Sequence, residues 1–358
     1  MATDTTESIP ATTSAPASTE TASTMRAWQF ASPGSLAKTL KLVDSVPSPA
    51  PPTAAGQIVV KVLSASLNPA DYKVADMGLI TRAVIALPKV PSMDLSGKVT
   101  AVAADVTDVS VGDLIMARVN PLKAQGALSD AVLLDRDHYT VVSPTSDVDQ
   151  VAGIPTTGLT AYQCIQPYVK AGDKVFINGG SGGLGTAAVQ IAKILGCHVT
   201  TSCSTGKVSL CKELGADEII DYKKQDVAEY LKKGGQQYKL VLDNVGSAIS
   251  TLYHATRHYM VKDAHYIQVG GEFSLGGILD LLWAQVRPGF LGGGRSRYAY
   301  KATSQKRDDM AQLATWMAEG KLKVVIDSAF EFEDAVKAVE KLKEGSSTGK
   351  IIVHVNAA

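Results

Sequence analysis

The segment Lys174-Val-Phe-Ile-Asn-Gly-Gly-Ser-Gly-Gly-Leu-Gly185 carries more structural information than any other part of the chain. Residues 174–178 predict a short buried strand, residues 179–185 a glycine turn, and residues 186–195 an apolar helix closed by a glycine. A G-x-G-x-x-G spacing between a strand and a helix is the context of a dinucleotide-binding turn, where the backbone and the helix N-terminus bind a pyrophosphate. The residues expected to hold the dinucleotide are Gly180, Ser181, Gly182, Gly183, Leu184 and Gly185.

Length and composition limit the other possibilities. The 358 residues suggest about two domains, and 35 basic against 35 acidic residues give a net charge of zero, which argues against a nucleic acid or acidic lipid partner. The four cysteines form no C-x-x-C pair, so we expect neither a disulfide framework nor a zinc knuckle, and we expect the reducing cytoplasm. No apolar run approaches the roughly 20 residues of a membrane span.

The character of the sequence changes twice along the chain. Residues 1–24 are almost entirely Thr, Ser, Ala and Pro, which predicts a disordered tail. Residues 25–150 contain several short strands between turn signals, which is typical of a β-rich, barrel-like domain. From about residue 151 strands alternate with helical stretches, as in βαβ units with a parallel sheet.

Several linked motifs resemble one superfamily. They are Ser66-Leu-Asn-Pro-Ala-Asp-Tyr-Lys73, Val111-Gly-Asp113, Pro155-Thr-Thr-Gly-Leu-Thr-Ala-Tyr162, the glycine turn, Leu214-Gly-Ala-Asp217, Leu242-Asp-Asn-Val-Gly246 and Gly349-Lys350. With them the chain resembles the medium-chain dehydrogenase/reductases, and among these the zinc-free quinone oxidoreductase (zeta-crystallin-like) and enoyl reductase branch. The resemblance implies an α/β fold: a Rossmann doubly wound parallel sheet, residues 151–302, plus a GroES-like β-barrel domain, residues 25–150 and 303–358. It also implies a cleft between them and a homodimer.

The resemblance also shows where a metal would be expected. Zinc enzymes of the superfamily have a cysteine ligand where this chain has Ser66 to Asn68, and a His-Glu pair where it has Met93-Asp94. They also insert a four-cysteine lobe, whereas no cysteine of this chain precedes Cys164. Because catalytic zinc needs three converging protein ligands, we predict no metal.

The type of nicotinamide cofactor depends on the end of the second parallel strand. The ribose-reading residue is expected about 20 residues past the turn, where Thr201-Ser-Cys-Ser-Thr-Gly-Lys207 contains no acid. With Ser204 and Lys207 close by, this favours NADPH over NADH about tenfold to hundredfold, since a charge-assisted hydrogen bond contributes about 1.5–3 kcal/mol. The resemblance adds Tyr222 near the ribose phosphate. The alternatives are an ordinary solvated lysine at 207 and a half-buried strand residue at 222.

The nicotinamide is expected at the ends of the parallel strands, where doubly wound folds bind ligands. By the resemblance, Thr157 would contact it from the helix before the glycine turn. Asn244, Val245 and Val269 would line it from the ends of two strands.

The acceptor is expected against the opposite wall of the cleft. Asn68 would position an acceptor oxygen or the ribose, and Tyr72 or Lys73 would donate a hydrogen bond or proton to the oxygen that gains charge. The alternatives are that solvent or a ribose hydroxyl supplies the proton, that Asn68-Pro69 is turn chemistry, and that Lys73 is a surface residue.

Residues 276–297 differ from a generic Rossmann segment. The apolar run Gly276-Gly-Ile-Leu-Asp-Leu-Leu-Trp-Ala-Gln-Val286 is followed by a basic loop that contains Arg287 and Arg295. Three interpretations stay open: a lid over the acceptor, a dimer contact, and a peripheral membrane patch.

These observations together predict an NADPH-dependent, zinc-independent reductase. It would transfer a hydride to a small-molecule quinone or α,β-unsaturated carbonyl (enone or enal) acceptor. The alternative from another class is an NADPH-binding regulatory or interaction protein without turnover, because a fold does not fix a function.

Overall fold

The computed structural model describes residues 23–246, 249–269 and 296–357. Within these ranges the strands form sheets of two, six and seven strands. Almost all of the predicted disordered tail lies outside the described residues, and so does the segment 276–295, for which the lid, dimer and membrane interpretations were raised.

The first part of the chain forms the barrel side of the molecule. Its strands are β1 Thr24–Gln29, β2 Lys41–Pro47, β3 Ile58–Leu67, β4 Asp94–Val102, β5 Leu114–Arg118, β6 Ala131–Leu134 and β7 Tyr139–Val141. Its helices are α1 Leu36–Thr39, α2 Pro69–Asp76 and α3 Thr81–Val84. The end of the chain adds β14 Ile326–Glu331, α11 Ala335–Lys343 and β15 Lys350–His354.

Both chain ends contribute to the same barrel sheet. The strand order is β14-β15-β3-β4-β5-β7, with β6 paired to β3, while β1 and β2 pair with each other. One hydrophobic core joins Trp28 and Ile115 to Phe332, Val339 and Val353. Apolar side chains from both chain ends are buried away from water in this one core. The GroES-like arrangement that the resemblance implied is therefore confirmed.

The middle of the chain forms the parallel sheet. Its strands are β8 Lys174–Asn178, β9 His198–Cys203, β10 Glu218–Asp221, β11 Tyr238–Asp243, β12 Met260–Gln268 and β13 Arg297–Tyr300. The helices around it are α4 Val148–Gly153, α5 Pro155–Ile165, α6 Gly183–Ile194, α7 Val208–Glu213, α8 Val227–Lys233, α9 Thr256–Tyr259 and α10 Arg307–Ala318.

The order of this sheet is β10-β9-β8-β11-β12-β13, and every pairing is parallel. The chain order therefore reverses between β8 and β11, the switch point at which doubly wound sheets bind ligands. The predicted Rossmann architecture is confirmed, whereas the domain boundaries near residues 150 and 302 stay predictions.

The start of α6, the helix after the glycine turn, was predicted wrongly. The helix after the glycine turn begins at Gly183 and not at residue 186, with Gly182 as its extended N-cap residue. Three residues of the predicted turn thus belong to the first helical turn, where backbone N–H groups have no partner within the helix. The shift directs more donors toward the end of β8 than the sequence suggested.

Candidate active site

The three motif glycines lie in three different environments. A Cβ atom on Gly180 would lie 2.1 Å from Thr201 Oγ1, and one on Gly185 would lie 2.0 Å from the carbonyl oxygen of Gly179. At Gly182 the nearest atom would be 3.9 Å away. Gly180 and Gly185 therefore make close contacts within the protein, whereas the backbone at Gly182 is open to a ligand.

A buried polar chain fixes the strand ends beneath this turn. Asn178 Nδ2 donates to Asp243 Oδ1 (2.9 Å), and Tyr266 Oη donates to Asp243 Oδ2 (2.7 Å). Ser202 Oγ donates to Asn178 Oδ1 (2.7 Å) and accepts the Gly179 N–H (3.0 Å). Asp243 is fully buried, so these bonds compensate for its desolvation and lock β8, β9, β11 and β12 in register.

Three of the four residues expected around the nicotinamide follow the ends of β11 and β12, and the fourth, Thr157, lies on α5. Val245 is 45% exposed, and Val269 is half-buried where β12 ends. Thr157 is buried, and its hydroxyl donates to the Gly153 carbonyl (3.0 Å). Both polar side-chain atoms of Asn244 are buried with no hydrogen-bond partner among the described residues. Buried amides are normally satisfied, so this one fits a ligand that supplies the missing bonds, as a dinucleotide would.

The expected ribose-phosphate residues follow β9 and β10. Ser204 comes directly after β9, and Lys207 is half-buried with its ammonium donating to Thr348 Oγ1. Tyr222 comes directly after β10, is 51% exposed and has the Lys223 ammonium 5.4 Å from its ring centre. Asp221, which the sequence analysis did not consider, ends β10, and its carboxylate accepts the Lys223 N–H (3.0 Å).

On the barrel side, Asn68 belongs to a buried charged network. Asn68 Nδ2 donates to Asp94 Oδ2 (2.8 Å), and Lys350 Nζ donates to Asn68 Oδ1 (2.6 Å) and to the Leu67 carbonyl (3.0 Å). Lys350 Nζ also lies 3.5 Å from Asp94 Oδ2. Asn68, Asp94 and Lys350 are at most 3% exposed. The Asn68 amide is thus already bonded at both ends.

The other oxygen of Asp94 connects the network to helix α5. Asp94 Oδ1 accepts the backbone N–H (3.0 Å) and the hydroxyl (2.6 Å) of Thr156. Arg118 Nε donates to Thr156 Oγ1 (2.9 Å), and Arg118 Nη2 lies 3.7 Å from the sulfur of Met93. This arrangement holds the residue before Thr157 against the barrel.

Burial shifts the pKa values of three charged groups in this region. It lowers the pKa of Lys350 and of Arg118, although nearby carboxylates oppose the shift. It raises the pKa of Asp71 to about 7, although the carboxylate accepts the Asn68 N–H at 2.7 Å. Two cations and two acids therefore share a poorly hydrated site in which adding or removing one proton changes the balance of charge.

Tyr72 and Lys73 lie beside this network. Tyr72 is half-buried on α2, and its ring packs against the barrel core with the Lys343 ammonium 5.5 Å from the ring centre. Burial raises the pKa of Tyr72. Lys73 is half-buried one residue further along. The structure thus places Asn68 within the buried network. Tyr72 and Lys73 lie on α2, next to the network, and are half-buried.

One short segment joins the two halves of the site. Gly182 and Gly349 form an isolated parallel bridge, and the Gly349 N–H donates to the Ser181 carbonyl (3.1 Å). A Cβ atom on Gly349 would lie 1.9 Å from the Val325 carbonyl oxygen, so only glycine allows this approach. Because Lys350 follows directly, two consecutive residues, Gly349 and Lys350, connect the glycine turn to the Asn68–Asp94 network.

The segments in which the resemblance implied zinc ligands surround an ammonium group. Lys350 Nζ lies between Asn68 and Asp94, and both residues belong to the segments in which the resemblance implied the ligands of a zinc enzyme. In the described ranges, no group of three or more His, Cys, Asp or Glu residues could hold a metal ion. None of the helices described is long and apolar enough to cross a membrane.

Sequence reasoning missed several residues of this network. Thr156 and Lys350 entered only as members of motifs that carry the resemblance, and Arg118 was not considered. A lysine that opens the apolar strand Lys350-Ile-Ile-Val was a usable signal, because a charge in a buried strand needs a partner. Nothing in the sequence indicated that Arg118 would reach Thr156.

Two family models match the chain. The model described as alcohol dehydrogenase GroES-like domain matches residues 54–245, more than half of the chain, and the model described as zinc-binding dehydrogenase matches residues 214–353. The chain is 41% identical to the trans-enoyl reductase pgmF of Aspergillus terreus, covering 93% of this chain and 97% of that protein.

Two further comparisons agree with these matches. The chain is 30% identical to the chloroplastic quinone-oxidoreductase QR1 of Triphysaria versicolor, covering 93% of this chain and 98% of that protein. The solved quinone oxidoreductase of Coxiella burnetii superimposes with a TM-score of 0.78 at 29% identity, covering 93% of this chain and 99% of that chain. The chain therefore belongs to the medium-chain dehydrogenase/reductase superfamily of nicotinamide-dependent oxidoreductases, in its zinc-free quinone oxidoreductase and enoyl reductase branch.

Proposed function

We propose that the chain is an NADPH-dependent, zinc-independent reductase of quinones or α,β-unsaturated carbonyls. The observation that carries the proposal is the Gly349–Lys350 segment, which joins the ligand-open turn at Gly182 to a buried cation. The proposed dinucleotide site would thus be directly connected to the proposed acceptor wall, which contains the buried ammonium group of Lys350. Relatives named trans-enoyl reductase and quinone-oxidoreductase support the choice of acceptor class.

The cofactor would be held by the glycine turn and the strand ends. Gly183, Leu184 and Gly185 would offer the N–H groups of the first turn of α6 to the pyrophosphate, and Gly180, Ser181 and Gly182 would form the turn in front of it. Thr157, Asn244, Val245 and Val269 would line the nicotinamide. The Asn244 amide, which has no hydrogen-bond partner within the described ranges, would bond to the cofactor and fix its orientation. The bound reduced nicotinamide supplies the hydride.

The barrel wall would orient the acceptor and stabilise its developing negative charge. Asn68 contributes by fixing Lys350 and Asp94, because its own amide is already bonded at both ends. Preorganised positive charge in a poorly hydrated site stabilises an enolate or hydroquinone oxygen without reorganisation. Tyr72 and Lys73 are the proposed donors of a hydrogen bond or proton, and solvent is the alternative proton source.

The decisive experiment is a panel of quinones, enones and enals assayed with NADPH and with NADH. We expect consumption of NADPH with at least one acceptor class, and a lower kcat/KM with NADH. Tight NADPH binding, seen as a change in cofactor fluorescence, with no oxidation across the panel would instead support a binding protein without turnover.

We also propose that the chain forms a homodimer and is located in the cytoplasm. Analytical sedimentation measures the oligomeric state and so tests the dimer.

Cofactor selectivity gives a second test. Replacing Lys207 by Ala should weaken NADPH about tenfold to hundredfold and leave NADH nearly unchanged, since only the 2′-phosphate needs the ammonium group. Lys212→Ala is the matched control, because this exposed lysine carries the same charge on α7. Equal losses for both cofactors in Lys207→Ala would refute the assignment of Lys207.

A further inference from the structure

Two cavities of the described part of the chain differ in their chemistry. The larger one, about 300 Å³, lies between α5 and α10, and its charged residues, Lys301, Lys306 and Asp309, are exposed or half-buried. The smaller one, about 30 Å³, is lined by a lysine that is only 9% exposed, Lys89. A buried charge at a cavity needs an explanation, whereas partly solvated charges at an open surface do not.

The small cavity borders the acceptor wall. Asp71 and Met93, which contact Asn68 and Arg118 respectively, are part of its lining. The complete lining is Phe30, Ala70, Asp71, Val74, Lys89, Pro91, Ser92, Met93, Asn120, Pro121 and Gln125. Asp71 and Lys89 are the two titratable groups among these residues, and the polar remainder consists of a hydroxyl and two amides.

Lys89 is held firmly, yet most of its donors are unused. Its backbone N–H and C=O pair with those of Phe30, both at 3.0 Å. Its ammonium donates to the Lys123 carbonyl, and no second hydrogen bond of this ammonium group is found among the described residues. An ammonium group has three donors, so two are left for whatever enters the cavity.

The size of the cavity limits what can enter it. A site needs about 10–15 Å³ to admit one water-sized group, so 30 Å³ admits about two. This space suits the oxygens of a carbonyl or carboxylate but not a ring. Apolar Phe30, Val74 and Pro121 form part of the wall, which strengthens the field of the ammonium at any oxygen placed there.

We propose that Lys89 binds a negatively charged or polarised oxygen of the acceptor and thereby selects acceptors that carry such an oxygen beside the reacting enone. The inference rests on the reductase activity proposed above and deepens it by naming a specificity-determining residue. Phe30 and the Lys123 carbonyl fix the position of the lysine, and the acceptor oxygen takes the two free donors.

The charge on Lys89 depends on pH near neutrality. Burial lowers the pKa of Lys89 to about 8, while Asp71 on α2 opposes that shift. Burial raises the pKa of Asp71 to about 7. Asp71 also faces Asp94 on β4, Lys350 on β15 and Arg118 on β5. Between these pKa values Lys89 stays charged, and binding of an anionic oxygen should weaken as the pH rises through about 8.

The test uses three acceptors, CH₃–CO–CH=CH–X, in which X is a carboxylate, an acetyl group or a methyl group. In Lys89→Met we expect KM to rise about tenfold or more for the carboxylate, less for the acetyl compound, and not at all for the methyl compound. Lys89→Arg should retain part of the preference. In the unchanged chain, KM for the carboxylate should rise above about pH 8.

Lys123→Met is the matched control, because it removes an exposed positive charge and keeps the carbonyl that Lys89 contacts. The proposal is overturned if Lys89→Met changes all three acceptors equally or none of them, or if Lys123→Met has the same effect. If no acceptor is reduced at all, the reductase proposal fails separately. In that case, calorimetry with the saturated carboxylate CH₃–CO–CH₂–CH₂–COO⁻ tests Lys89 directly. Weaker binding by Lys89→Met than by the unchanged chain supports the site. Equal binding by the two proteins rejects it.

Discussion

Single glycine residues in the cofactor turn make separable contributions to stability and to binding. Gly185→Ala should lower the free energy of unfolding by about 1–3 kcal/mol, because its Cβ would lie 2.0 Å from the Gly179 carbonyl oxygen and force the helix away. Gly182→Ala should cost at most about 0.5–1 kcal/mol, because alanine is only a poorer N-cap residue there. Urea unfolding measures both changes.

Cofactor affinity should separate the same two variants further. Gly182→Ala should fold and yet bind NADPH several-fold more weakly, because its new methyl group stands on the surface that is open to the ligand. Fluorescence titration measures this directly. Unchanged NADPH affinity in Gly182→Ala would mean that the pyrophosphate does not approach the backbone at this residue.

Secondary structure elements were predictable where a hydrophobic run is bounded by glycines or other turn residues. The strand Lys174–Asn178 was predicted to the residue, because it is apolar and bounded by turn signals. Helix α2 and strand β14 were missed. Helix α2 lacks a clear apolar face, and its start depends on Asp71 accepting the Asn68 N–H, a capping interaction made by aspartate in place of the expected Glu or Gln.

The junction of four parallel strand ends also permits a prediction at this scale. Tyr266→Phe should destabilise the protein by about 1–3 kcal/mol, because it leaves Asp243 Oδ2 buried without its donor at 2.7 Å. Tyr298→Phe is the control: it removes a hydroxyl that donates to Gln268 Oε1 at the same distance, but Tyr298 is half-buried and no charge loses its partner. A larger loss in the control, measured by denaturant unfolding, would contradict this account.

The whole molecule contains contacts that no local pattern could predict. Lys350 and Asn68 are 282 residues apart along the chain, and their hydrogen bond exists only because β15 pairs with β3. The resemblance supplied both motifs but not the bond between them. The types of the site residues were thus predictable, whereas the partners that fix Asn68 depend on tertiary structure.

The same long-range pairing makes the stability of the molecule depend on pH. His354, in the closing strand β15, lies 2.9 Å from Asp149 on α4 and 3.3 Å from Glu331 on β14, and these carboxylates raise the pKa of His354. A raised folded-state pKa means that the stabilisation is complete below the unfolded value of about 6.5 and is lost as the pH rises through the folded value.

Unfolding free energy measured from about pH 6 to pH 8.5 should therefore contain a component of about 0.2–1 kcal/mol that His354→Gln removes, the small size reflecting a side chain that is 38% exposed. His258→Gln is the control, because that exposed histidine contacts Arg257 and no acid in the described residues. If His354→Gln kept the full pH dependence, another titratable group would be its source, and the contacts of His354 with Asp149 and Glu331 would not contribute to it. The Ser64 hydroxyl on β3 donates to the other oxygen of Asp149 at 2.5 Å, so Asp149 connects α4 to β3 independently of His354.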